Sequence, residues 1–213
     1  MTDDHTTARL GLLRHAETVW NREKRIQGQK NAPLTPEGEQ QAAAWGRLLK
    51  TIAWDRIICS DIGRAKETAA LLNASLEIPV TYDSRLREQD WGKWTGKTTG
   101  QIQTEISQSV SKAASQGWGF CPPGGESRNT VWTRSQRAVR DAAQKWPGET
   151  ILVVTHEGVI KCLVYGLSGR QFLPTDVPLL RPQHLHWLIH GRLGLRIGEV
   201  NAQALGPEVK NRP

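Results

Sequence analysis

The sequence predicts an α/β layer fold with a mostly parallel central sheet. Three observations predict it: short apolar runs read as strands, amphipathic periodicities of helical length lie between them, and the two alternate along most of the chain. At 213 residues the chain can bury a proper core as a single domain. Hydrophobic residues make up 38% and charged residues 23%, and no low-complexity tract suggests disorder.

The first strand reads over residues 9–13. Thr35 then stands as a helix N-cap with Pro36 at the first helical position, and Ala42, Trp45, Leu49 and Ile52 recur on one face. A second strand over residues 56–59 leads, from about Ile62, into a helix whose stripe is Ala65, Ala69 and Leu72. A third strand covers residues 78–81, and the polar, glycine-rich residues 96–127 read as an excursion over the sheet. From about Thr130 a helix aligns Val131, Ala138, Ala142 and Trp146; a strand at 151–155 follows, then a helix after His156 carrying Ile160, Val164 and Leu167. Two further strands lie near 185–189 and 193–200, and a flexible tail is expected from about residue 202.

The opening "MTDDHTTARLGLLRH" resembles neither a signal peptide nor a membrane span, so a soluble, cytoplasmic protein without a membrane partner is expected. Cys59, Cys121 and Cys162 are odd in number and widely spaced, which reads as reduced thiols. A net charge of +7 raises the question of nucleic acid, yet the basic residues form no stripe or tail, and an anionic small substrate explains the excess equally well. Nucleic acid is therefore not expected as a partner, and a homodimer is compatible with the chain. Nine tryptophans against two phenylalanines and two tyrosines is unusual, but the bias alone carries no function.

In open α/β sheets the ligand site lies beyond the carboxyl ends of the strands. Arg14 and His15 close the first run, Arg64 opens the helix after "RIICSDIG", Glu88 lies in the loop after "IPVTY", and His156 ends "ILVVT". Singly, each has an ordinary reading as a solvated strand end, a surface charge or a structural histidine. Together they put two arginines, two histidines and a carboxylate on one rim. Arginine forks and helix N-termini suit phosphate oxygens. Two arginines beside the histidines disfavour a cation site, and no Gly-x-Ser-x-Gly elbow supports a serine hydrolase. A neutral histidine in such a pocket can attack phosphorus, and burial among cations keeps it neutral. His15 is the expected nucleophile, Glu88 the general acid and then base, and His156, Arg14 and Arg64 the groups stabilising the transferring oxygens.

"LLRHAETVWN", "RIQGQKNAPLTPEGEQQA", "SDIGRAKETA", "LREQDWGKWTG", "PPGGES" and "VTHEGVI" occur in this order between about residues 12 and 167. The set closely resembles the histidine phosphatase superfamily, also called the phosphoglycerate mutase-like family. The resemblance implies a three-layer α/β/α fold, a phosphorylated His15, a phosphate pocket of Arg14, Arg64 and His156, and a proton donor at Glu88. It also implies that Thr18, Asn21, Gln27 and Gly28 help hold the phosphate or adjoining substrate, and that no metal or organic cofactor is needed.

Two residues depart from the family pattern. Ala16 replaces the usual glycine after the nucleophile, and Glu157 the small residue that commonly follows the second histidine. If the Glu157 backbone N–H faces the phosphate, its carboxylate must point away, since an anion there would repel a dianionic substrate.

"HLHWLIH" aligns His184, His186 and His190 on one strand face, read as a solvated histidine face rather than a metal site. Trp91, Trp94 and Trp118 either line the substrate pocket or pack the excursion on the sheet.

Three functions remain: a phosphatase acting on a small phosphorylated metabolite, a phosphoglycerate mutase, and a non-catalytic phosphate-binding module. The mutases resembled here carry a longer basic insertion, whereas the excursion offers only Lys97 and Lys112 before Arg128. That shortage of cations for a second phosphate favours water as the acceptor.

Overall fold

The computed structural model describes residues 6–98, 100–102 and 115–206; residue 99 and residues 103–114 of the expected excursion, and 207–213 of the expected tail, lie outside the described residues. Strands β1 (Ala8–Arg14), β2 (Arg56–Cys59), β3 (Val80–Tyr82), β4 (Thr150–Thr155), β5 (His184–Gly191) and β6 (Gly194–Ala204) form one sheet in the order β3-β2-β4-β1-β5-β6. The first four in that order pair in parallel, and β5 and β6 add an antiparallel hairpin beside β1. The helices are α1 (Val19–Arg22), α2 (Pro36–Leu49), α3 (Gly63–Leu76), α4 (Arg128–Lys145) and α5 (Glu157–Leu167).

The central strands read as unbroken apolar runs because both of their faces are covered. Ile151 and Val153 of β4, with Leu10 and Leu12 of β1, pack into the core shared with α4 and α5. Leu152 and Val154, with Leu13, turn the other way into the core shared with α2 and α3. The result is the three-layer α/β/α architecture, with side-chain alternation distributing one strand between two cores.

Helix starts divide into two kinds. Thr35 Oγ1 accepts from Gly38 N (2.9 Å) to cap α2, and Ser127 Oγ accepts from Thr130 N (3.1 Å) to cap α4, which begins two residues earlier than its apolar stripe implied. Neither Ile62 before α3 nor His156 before α5 caps its helix with its own side chain. Distant loops supply the acceptors: Asn31 Oδ1 takes Arg64 N (2.7 Å) and Glu88 Oε2 takes Gly158 N (3.2 Å). Folding the two site helices thus draws both loops to the rim.

Several expectations are corrected. β3 starts at Val80 rather than Ile78, because the Asn73 side-chain amide bonds both N–H and C=O of Ile78 (3.1 and 2.9 Å) and holds it in the turn after α3. Residues 202–204 belong to β6 instead of a tail, and Trp45 Nε1 donates to the carbonyl of the buried Leu205 at 2.7 Å. The histidine face of β5 is not solvated at its centre: His186 is buried, its Nδ1 accepting from Asn201 N at 3.0 Å, and it shares a cavity wall with Ile160 and Lys161 of α5. Alternation on a strand distinguishes two faces, but only the packing of α5 decides that both are covered. Among the described residues no helix is long and apolar enough to cross a membrane.

Candidate active site

Hydrogen bonding carries the parallel pairing one residue beyond the strands. His15 N donates to Thr155 O and Ser60 N to Val154 O, each at 2.9 Å, so the residues after β1, β2 and β4 leave the sheet side by side. His15 and His156 emerge as neighbours, their ring centroids 5.2 Å apart. Ser60 Oγ lies 2.8 Å from His156 Nε2.

The partners of His15 define its tautomer. The Ala16 carbonyl can only accept, so Nδ1, at 2.8 Å from it, carries the ring hydrogen; Arg64 Nε–H can only donate, and does so to Nε2 at 3.0 Å. Nε2 therefore holds a lone pair directed at Arg64. Burial foremost, then the charges of Arg64 and Arg14, hold His15 well below the ordinary histidine pKa, so the ring stays neutral at physiological pH. Burial, followed by Arg64 and His15, does the same for His156. Ser60 Oγ accepts from Ile62 N (3.4 Å) and can give its own hydrogen to His156 Nε2, an arrangement that puts the ring hydrogen on Nδ1 as a donor.

Arg64 is buried, and burial lowers its pKa to about 10, leaving it charged. Its guanidinium bonds three groups at once: Nε to His15, Nη1 to Lys30 O (2.7 Å) and Nη2 to Gly28 O (2.8 Å). Gly28 has φ +52°, and a Cβ there would come within 3.1 Å of Trp91 N, so the carbonyl can turn to Arg64 only without a side chain. Among the described residues, the buried side-chain polar atoms lacking a hydrogen-bond partner are Arg14 Nε, Gln27 Oε1 and His156 Nδ1. All three sit on residues the sequence assigned to the site. Orphaned polar atoms cost about 1–3 kcal/mol each, a cost an oxygen-rich ligand relieves at the two donors.

Glu88 is held at both oxygens, Oε1 by Gln89 N (2.8 Å) and Oε2 by Gly158 N at the start of α5 (3.2 Å). A Cβ at Gly158 would lie 2.3 Å from Glu88 Oε1, so glycine is what permits this approach. Glu157 lines the cavity, and its carboxylate is paired at both oxygens. Its Oε2 meets Arg14 Nη1 and its Oε1 meets Lys161 Nζ, each at 2.6 Å, and these cations, Arg14 foremost, pull its pKa to about 2. The anion the sequence flagged as repulsive is thus matched by two positive charges.

Thr18 needs correction. Its hydroxyl accepts from Asn21 N (3.1 Å) while its backbone N–H donates to Asn21 Oδ1 (3.1 Å), forming the capping box of α1; the hydroxyl also donates to Asn21 Oδ1 (2.9 Å), and Thr18 does not line the cavity. Arg14, His15, Asn21, Gln27, Gly28, Arg64, Glu88 and Glu157 do line one cavity of about 450 Å³. A family model, histidine phosphatase superfamily (branch 1), matches residues 10–203. The chain belongs to the histidine phosphatase superfamily.

One relative of this histidine phosphatase, a probable phosphoglycerate mutase GpmB from Salmonella choleraesuis, is 35% identical over 158 residues, 74% of each chain. Among solved structures, Bacillus stearothermophilus YhfR superposes with TM-score 0.84 at 30% identity, covering 93% of this chain and 98% of that one. A mycobacterial glucosyl-3-phosphoglycerate phosphatase in complex with VO3 superposes with TM-score 0.80 at 30% identity, covering 92% and 99%. Membership makes this protein a phosphoryl-transfer enzyme.

Beyond the residues the sequence assigned to the site, this histidine phosphatase brings Arg25, Arg128, Lys161, Cys162 and Phe172 to the same cavity. Three further cations thus lie on the wall, drawn from segments far apart in sequence. Burial raises the Cys162 thiol to about 12, so it is no competing nucleophile. Trp91 lines the cavity, whereas Trp94 packs with Phe120, and Trp118 packs with Trp132 and Phe172 and donates to Arg170 O (2.7 Å). Ser60 was legible only as part of "CSDIGRA"; its partnership with His156 has no local signal.

Proposed function

We propose that the protein hydrolyses small phosphate monoesters through a phosphohistidine on His15. One observation carries this reading: a neutral imidazole with its lone pair on Nε2 stands among a buried arginine and two buried groups, Arg14 Nε and His156 Nδ1, that lack partners. Arg64 Nε shifts from the imidazole to a phosphoryl oxygen, and Nε2 attacks phosphorus as the bond to the ester oxygen breaks. Glu88 protonates the departing alkoxide. Glu88, now ionised, takes a proton from water as that water attacks the phosphohistidine, releasing phosphate and restoring His15. Arg14, Arg64 and His156 counter the charge on the equatorial oxygens.

Water rather than a second alcohol is the acceptor in this reading. Of the three added cations, Arg25 is paired with Glu23 and Lys161 with Glu157, each at 2.6 Å. Arg128 is left, too little to match the second phosphate of a bisphosphate intermediate. Similarity to a solved phosphatase supports the same choice.

The test is acid-quench labelling with radioactive phosphate ester, alongside turnover of p-nitrophenyl phosphate and of 3-phosphoglycerate with its bisphosphate primer. Label on His15 and release of inorganic phosphate are expected. Mutase turnover exceeding hydrolysis overturns the choice of acceptor. An unlabelled His15 with no turnover supports a phosphate-binding module instead.

A further inference from the structure

Arg128 is the first residue of α4, following the cap Ser127. A cation at the positive end of a helix opposes the macrodipole, and burial further disfavours this one, lowering its pKa. Among the described residues no carboxylate pairs with it. The side chain is nonetheless held firmly: the guanidinium carbon lies 4.4 Å from the ring centroids of both Phe120 and Phe172, and Nη1 donates to Gly117 O (3.0 Å) and Phe172 O (3.2 Å). Those two bonds use both Nη1 hydrogens. Of five N–H groups, the Nε–H and the two on Nη2 remain without a partner among the described residues, and Arg128 lines the catalytic cavity.

The cavity's other cations are spent differently. Arg14 and Lys161 share Glu157, Arg25 has Glu23, and Arg64 bonds His15. Arg128 is thus the lining cation outside the phosphate end whose charge is unmatched. Stacking between two rings keeps its planar fork in one orientation while recovering some of the cost of burial.

We propose that Arg128 anchors a carboxylate on the alcohol part of the substrate, so that the preferred substrates are phosphate monoesters of hydroxy acids. A single guanidinium matches a carboxylate in charge and in fork geometry, whereas a second phosphate dianion would remain half neutralised. Phe172 and Trp91 line the same cavity and offer apolar surface to the carbon chain between the two anions. The inference rests on the phosphate-monoester reading above, and binding can be tested apart from turnover.

The experiment is calorimetric titration of the His15→Ala protein with 3-phosphoglycerate and with glycerol 3-phosphate, which differ by a carboxylate in place of a hydroxymethyl group. A charge-assisted bond predicts about tenfold or tighter binding of the carboxylate ester. In the double variant His15→Ala/Arg128→Gln the ratio falls to within about twofold. Equal affinities in the protein that keeps Arg128 overturn the proposal whether or not the double variant folds. So does a ratio that survives Arg128→Gln, or an equal loss for both esters. Tighter binding of glycerol 1,3-bisphosphate than of 3-phosphoglycerate overturns the carboxylate in favour of a second phosphate. Absence of phosphate release from every ester by the native protein counts against hydrolysis alone, since the binding ratio is read without turnover.

Discussion

The two ends of the catalytic cavity are built by different means. At the phosphate end, His15 and Ser60 continue the sheet's own hydrogen bonding to β4 at 2.9 Å, and each key side chain is held by a backbone group or a neighbouring site residue. Elsewhere on the lining, Arg128 at a helix start is held by Phe120 and Phe172 of two loops, through stacking and two bonds to carbonyls. Backbone ladders tolerate little displacement, whereas stacked side chains on loops can be exchanged one at a time. Under the proposed reading, reaction chemistry falls to the first region and choice of substrate to the second.

Removing His15 strikes the first region hardest. His15→Ala is expected to lower kcat/KM for every ester by at least about 10⁴-fold, as loss of a nucleophile does, with thermal stability retained. Equal losses across a substrate panel sharpen the contrast, and surviving turnover breaks it. Gly158→Ala comes next. Its Cβ would fall 2.3 Å from Glu88 Oε1 and push the carboxyl from its seat. Alkyl phosphates, which need a protonated leaving group, should lose roughly 10²–10³-fold in kcat. p-Nitrophenyl phosphate, whose leaving group departs unaided, should lose much less, and an equal loss for both would argue against Glu88 as the acid.

Ser60→Ala tests whether the 2.8 Å bond to His156 directs that ring. A fall of about tenfold in kcat with little change in KM is expected, the worth of one hydrogen bond. Threonine at the same position should restore most of it. Glu157→Gln should act in the opposite direction: freeing Arg14 from its partner lowers KM for dianionic esters a few-fold. Because both side chains are more than a third exposed, the cost in stability stays below about 1 kcal/mol. The Glu157 carboxyl has its pKa depressed from 4.5 to about 2 in the folded protein. Its contribution is therefore complete above about pH 4.5 and lost as pH falls towards 2. Denaturation measured across that window should be flatter for Glu157→Gln than for the native chain.

The smallest effect concerns the histidines held neutral by burial. His15, His156 and His186 all have folded pKa values below 6.5, His186 at about 4. The unfolded chain binds protons at these positions first, so stability should decline as pH drops below about 6.5. His186→Asn should reduce that slope without altering the pH profile of turnover, which separates a packed histidine from those of the site.

How much of this was legible follows the range of the forces involved. Thr35 with Pro36, and the stripe Ala42, Trp45 and Leu49, announce α2 because caps and periodicity act within a few residues. Arg14, His15 and His156 could be assigned to one rim because strand ends in an open sheet have a known direction. Thr18 was misread because its hydroxyl has two uses, and Asn21 three residues on competes for it locally. Arg128 and Lys161 carried no signal, since nothing near them in sequence tells that the cavity wall closes there.

Alternating apolar segments and the motif residues at their ends were enough to establish the three layers and the class of chemistry, because those depend on local conformation and on the shared direction of strand ends in an open sheet. Which cations are neutralised, which histidine is sealed beneath α5, and which guanidinium is left unmatched were decided only when separate segments met, as Arg14 meets Glu157. Burial and pairing are properties of the assembled interior, where water is excluded and each charge must find its counterpart.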